Sequence, residues 1–139
     1  MCAQYESRKK IRRPGKLVGV WQAENETAQL VWAGFAKKEN LAWWKRCGGV
    51  LVDIPADRFA ERSDRDRRLI WDDMPGGHVI RGIIDPHACQ PILKLVTRAS
   101  TVDELAHFEH PRMPLIEPPL FSLDPVDVEE PESAQGELF

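Results

Sequence analysis

No apolar run in this 139-residue chain is long enough to cross a bilayer. The start, Met-Cys-Ala-Gln-Tyr-Glu followed by basic residues, also lacks the apolar stretch of a secretory signal, so the expected location is the cytoplasm, with no membrane partner. Cysteine is scarce: Cys2, Cys47 and Cys89 are odd in number, widely spaced and without a C-x-x-C pair. That excludes a disulfide framework and a zinc finger and leaves three reduced thiols. There is no Walker loop, no dinucleotide glycine fingerprint and no nucleophile elbow, so no cofactor is expected.

Basic charge is missing from one end. Every charged residue from Glu117 to Glu137 is acidic, whereas Arg8, Lys9, Lys10, Arg12, Arg13 and Lys16 crowd the other end, an asymmetry hidden by a net charge of -3. A basic segment of this kind attracts phosphate backbones by counterion release, which makes nucleic acid the first candidate partner.

The length suits a single domain. Residues 1–15 read as a basic flexible arm ended by the Pro14-Gly15 turn signal, residues 16–110 as the folded domain, and residues 111–139 as an acidic, proline-rich tail. Within the domain, Leu17–Trp21, Val50–Ile54 and His78–Asp85 are apolar, partly β-branched runs that predict buried strands. Between them, Lys37–Arg46 reads as helix, stopped by Gly48-Gly49, and the charged stretch Ala56–Asp73 as one or two surface helices.

Thr27–Phe35 is open. Asn25 can cap a helix with Ala28, Val31, Trp32 and Phe35 on one face, or the segment can return as a strand after a turn at Glu24-Asn25-Glu26; helix is the leading reading. Pro86 is placed to start a helix packed through Ile92, Leu93, Leu95 and Val96, and Ser100-Thr101-Val102-Asp103-Glu104 reads as the cap of a last short helix. The alternating order predicts an α/β class: a small, mostly parallel or mixed sheet of three or four strands flanked by helices. After His110 the tail buries too little to offset its ordering entropy, although Leu115, Ile116, Leu120 and Phe121 can lie extended over the domain.

The last five residues are Gln135-Gly136-Glu137-Leu138-Phe139. This peptide resembles the short motif by which bacterial polymerases, repair proteins and plasmid initiators bind the replication sliding clamp, in which a glutamine comes first and a Leu-Phe pair closes. The resemblance covers those five residues alone, and Gly136 and Glu137 depart from the leucine and the serine or aspartate common at those places. It implies a clamp as partner, with Leu138 and Phe139 filling an apolar pocket and Gln135 fixing orientation from the rim. A flexible tether over Ser122–Ala134 spans roughly 20 Å. The expected function is therefore a non-enzymatic, DNA-associated accessory factor recruited to the clamp; an inhibitor that occupies the clamp pocket is a further reading.

Two other constellations bear on chemistry. Asp53, Asp85 and His87 follow strands, where a metal-dependent nuclease would gather its ligands; turn and cap duties are the commoner use, and no metal site is expected. Trp43-Trp44-Lys45-Arg46 interleaves rings that stack bases with cations that pair phosphates. Adjacent tryptophans on a helix point in different directions, so at least one belongs to the core.

Overall fold

A computed structural model describes residues 2–121. Strands β1 (Cys2–Ser7) and β2 (Lys10–Arg12) form an antiparallel hairpin, with Tyr5 opposite Arg12 and Ser7 opposite Lys10. The basic segment is therefore not a flexible arm. β1 also pairs with β6 (Arg58–Arg62), and β6 with β7 (Leu69–Asp73), giving a four-stranded sheet in the order β2-β1-β6-β7. The charged stretch read as surface helices is this β6–β7 hairpin. One opposite-charge pair, Arg58 opposite Asp73, crosses it, while Phe59 turns into the core.

The second sheet closes on itself. β3 (Leu17–Ala23) pairs with β4 (Glu26–Lys37) and β5 (Val50–Ile54); β5 pairs with β8 (Val79–Asp85), β8 with β9 (Ile92–Ala99), and β9 with β4. The result is a five-stranded barrel in which β4 and β9 are the parallel neighbours and the other pairings are antiparallel. Val18, Val20, Leu30, Trp32, Val52, Ile54, Ile80, Leu93 and Leu95 fill its core, joined by Tyr5 and Phe59 from the four-stranded sheet. Gly82 fits nothing larger: a Cβ there would lie 2.8 Å from both Ile54 Cδ1 and Leu93 Cδ1.

The expected α/β class is overturned. Among the described residues there are eleven strands and only two α-helices, α1 (Leu41–Arg46) and α2 (Val102–Phe108), in two mostly antiparallel sheets. The apolar run Val50–Ile54 is covered on both faces, which suggested a parallel sheet; Val52 and Ile54 face the barrel core while Leu51 packs on a second cluster with Ile83, Val96, Leu41 and Trp44. Thr27–Phe35 is strand. Its helix-like spacing comes from a bulge between Trp32 and Phe35, where Gly34 takes φ 99°: Ala28, Leu30 and Trp32 point inward before it, and Phe35 after it. Ile92, Leu93, Leu95 and Val96 lie on β9 rather than on a helix, with Leu93 and Leu95 inward at period two.

Sequence and structure agree on α2, whose cap is a capping box: Thr101 Oγ1 accepts from the Glu104 N–H, and the Glu104 carboxylate accepts from the Thr101 N–H. Beyond it, β10 (Arg112–Pro114) pairs with the end of β9 and β11 (Ile116–Glu117) with the start of β8. Between them the Leu115 N–H donates to the Val96 carbonyl and the Leu115 carbonyl accepts from the Arg81 N–H. Residues 112–117 thus stitch the seam where β8 and β9 diverge, so they belong to the barrel and not to a tail.

Candidate nucleic-acid interface and tail exit

The tip of the first hairpin is two residues long, and both have positive φ, Arg8 at 54° and Lys9 at 67°. Such a tip matches the twist of paired strands and ordinarily selects Asn-Gly, because a side chain in the left-handed region costs about 1 kcal/mol or more. Here two long cations occupy it. The Arg8 N–H donates to Asp57 Oδ2 at 3.0 Å, and the Asp57 N–H to the Glu6 carbonyl at 2.7 Å, which anchor the tip to the β5–β6 connection.

Arg13 and Lys16 flank a second turn, closed by the Lys16 N–H on the Arg13 carbonyl, with Gly15 at φ 90°. That turn is tied to the barrel by the Gly15 N–H on the Trp32 carbonyl at 2.7 Å. Arg8, Lys9, Lys10, Arg13 and Lys16 are all exposed. Arg12 is not: it is buried, and its guanidinium donates to the Ser7 carbonyl at 3.0 Å, so it braces the hairpin from within and is withdrawn from the interface.

At the other end of the chain stands a buried ion pair. Asp53 on β5 and Arg81 on β8 face each other across the ladder, and the Arg81 Nη1 donates both to the Asp53 carboxylate and to the Val52 carbonyl. The remaining guanidinium donors reach Glu117 Oε1 at 3.0 Å and the Pro118 carbonyl at 2.9 Å. The Asp53 carboxylate accepts the N–H groups of Leu120 and Phe121, each at 3.0 Å. One ion pair therefore holds the chain at the last residues described.

These two features share one groove of about 720 Å³. Ser7 and Arg8 form part of its lining, together with Pro55–Asp57, the Met74–Val79 loop and Pro119, Leu120 and Phe121. Phe121, the last residue described, thus lines the same groove as Arg8 of the basic tip. Gln135, Leu138 and Phe139 lie outside the described residues.

The nuclease constellation does not assemble. Asp53 is committed to Arg81 and to two backbone N–H groups, while Asp85, four residues beyond Arg81 on β8, is displaced along the strand by about 13 Å. Asp85 accepts from the His87 N–H at 3.0 Å, a turn-stabilising contact, and His87 Nε2 meets the Cys47 carbonyl. Among the described residues no three His, Cys, Asp or Glu side chains are grouped to hold a metal ion, and no helix is long and apolar enough to cross a membrane.

Arg81 is the functional residue missed by sequence reasoning. Its signal was a charge in the middle of Val79-Ile80-Arg81-Gly82-Ile83-Ile84, matched by Asp53 inside Val50-Leu51-Val52-Asp53-Ile54. Two buried strands carrying one opposite charge each predict a pair, since charges are buried only when partnered. No protein-family model matches the chain, and neither curated proteins nor solved structures match it.

Proposed function

We propose that the protein is a non-enzymatic, DNA-associated accessory factor that contacts phosphate through Arg8, Lys9, Lys10, Arg13 and Lys16 and is recruited to a bacterial sliding clamp by Gln135, Leu138 and Phe139. The observation that carries this reading is the common groove: the last pinned residue, Phe121, and the basic tip, Arg8, line the same cavity. A clamp held by the terminal peptide is therefore tethered on the side of the domain that offers cations to its DNA. A short peptide binds weakly by itself, and a second contact to the same DNA raises its effective concentration.

The left-handed Arg8-Lys9 tip supports the nucleic-acid half, because strained non-glycine residues persist where a side chain is needed in place. The terminal Leu-Phe pair, following a stretch without a basic residue, supports the clamp half. The test is fluorescence anisotropy of the labelled full-length chain titrated with a purified bacterial sliding clamp. Saturable binding that disappears in the double variant Leu138→Ala, Phe139→Ala is the expected result; no saturable signal with the intact chain ends the reading.

A further inference from the structure

The second cluster of aromatic and basic residues remains unused by this function. α1 follows a single 3-10 turn (Lys38–Asn40) after the exposed Lys37, and it holds Trp43 at 52 % exposure, the one aromatic residue among the large exposed apolar side chains of the described residues. Its neighbour Trp44 is half-buried against the outer cluster of Ala36, Ile83 and Val96. The two rings meet edge to face, with centroids 5.0 Å apart at 80°, and the Lys94 ammonium lies 5.9 Å from the Trp44 ring.

Trp43 is thus braced by a packed ring, and ordering it on a ligand costs little side-chain entropy. The exposed charge on the segment from Lys37 to Arg46 is mostly cationic. Lys37, Lys38, Lys45 and Arg46 are exposed on this segment, and its one carboxylate, Glu39, is neutralised by a two-point ion pair with Arg112 at 2.9 and 3.1 Å. A flat ring amid cations offers stacking and phosphate pairing together, the two terms of single-strand recognition. A duplex hides its base faces and gains only from the cations.

We infer that Trp43, with Arg46 three residues on along the same side of α1, is a stacking platform for single-stranded nucleic acid, carried on a different element from the Arg8-Lys9 hairpin. This deepens the nucleic-acid half of the proposed function and is independent of the clamp. The test uses the full chain, with a labelled oligothymidylate and a duplex of equal length read by anisotropy at low salt. Trp43→Ala is expected to weaken oligothymidylate binding by about 10-fold, with duplex binding unchanged and most of the loss restored in Trp43→Phe. Unchanged single-strand affinity in Trp43→Ala, equal losses on both ligands, or no binding of the single strand by the wild-type chain would each overturn the platform. Clamp binding, measured separately with the Leu138 and Phe139 variants, reports on the recruitment reading alone.

Discussion

Asp53 and Arg81 form an ion pair buried between β5 and β8, and through it the barrel fixes the chain at Leu120 and Phe121. Every oxygen of the carboxylate is used, and the guanidinium donates in four directions. Removing one partner strands the other in a water-free site, which costs about 3–5 kcal/mol for a buried pair. Asp53→Ala is therefore expected to lower the urea midpoint strongly. It should also release residues 118–121, seen as faster proteolytic cleavage at Leu120 and Phe121 under conditions where the barrel stays folded. A tail that resists protease as well as wild type would show that the pair does not pin it.

Gly82 gives a prediction of different origin. Its backbone needs no left-handed conformation, and the constraint is space alone: an added methyl would press on Ile54, Leu93 and, at 3.1 Å, Val52 Cγ2. Gly82→Ala should cost about 1–3 kcal/mol, the range for overpacking a filled core. Gly76→Ala, where an added Cβ meets nothing within 4 Å, is the control and should stay near wild type. Equal urea midpoints for the two variants would mean that the core yields at Gly82.

The strands at Leu17–Trp21, Val50–Ile54 and His78–Asp85 were legible because apolar runs this short cannot be much else, and α2 because its capping box is written in sequence order. The sheet partners were not legible. Continuous apolar runs report that both faces of a strand are covered, and here the cover is a barrel core on one side and α1 on the other, not the helices of a parallel sheet. Local patterns also misled at the bulge of Gly34, where one extra residue turns period two into an apparent 3.6. In sequence the candidate interface reads as an arm because its residues are basic and follow no apolar pattern; the positive φ values at Arg8 and Lys9, which make it a tight hairpin tip, leave no mark in a sequence that lacks asparagine or glycine there.

That tip sets stability against binding. Replacing Arg8-Lys9 by Asn-Gly supplies the residues such a turn prefers, and it removes two exposed cations. The double variant is expected to gain about 1 kcal/mol of stability in urea denaturation while binding duplex DNA more weakly, with a shallower dependence on salt. Stability and affinity should move in opposite directions. If both fall, the wild-type tip is held by contacts beyond its backbone; if affinity is unchanged, the tip does not touch phosphate.

Burial gives the domain an unusual pH response. Glu61 on β6 is fully enclosed between β1 and β7, opposite Cys2 and Ile70, and desolvation pushes its carboxyl up to about 7. In the unfolded chain the same group ionises near 4.5. Between those values the folded state keeps a proton that the unfolded state has lost, so stability must fall as pH rises from about 4.5 to about 7, by on the order of 3 kcal/mol at most. Glu104 acts in the opposite window. The Arg98 guanidinium hydrogen-bonded to it holds its carboxyl at about 2, and that contribution, small at a half-exposed site, is lost as pH falls from 4.5 toward 2. His110, whose imidazole burial holds below its ordinary 6.5, acts against Glu61 in part of the same range, since its contribution is lost as pH falls below 6.5. From pH 5 to 7.5 the urea midpoint of the wild-type chain should fall relative to that of Glu61→Gln, which carries no titratable carboxyl there; parallel profiles in both would assign the pH response to other groups.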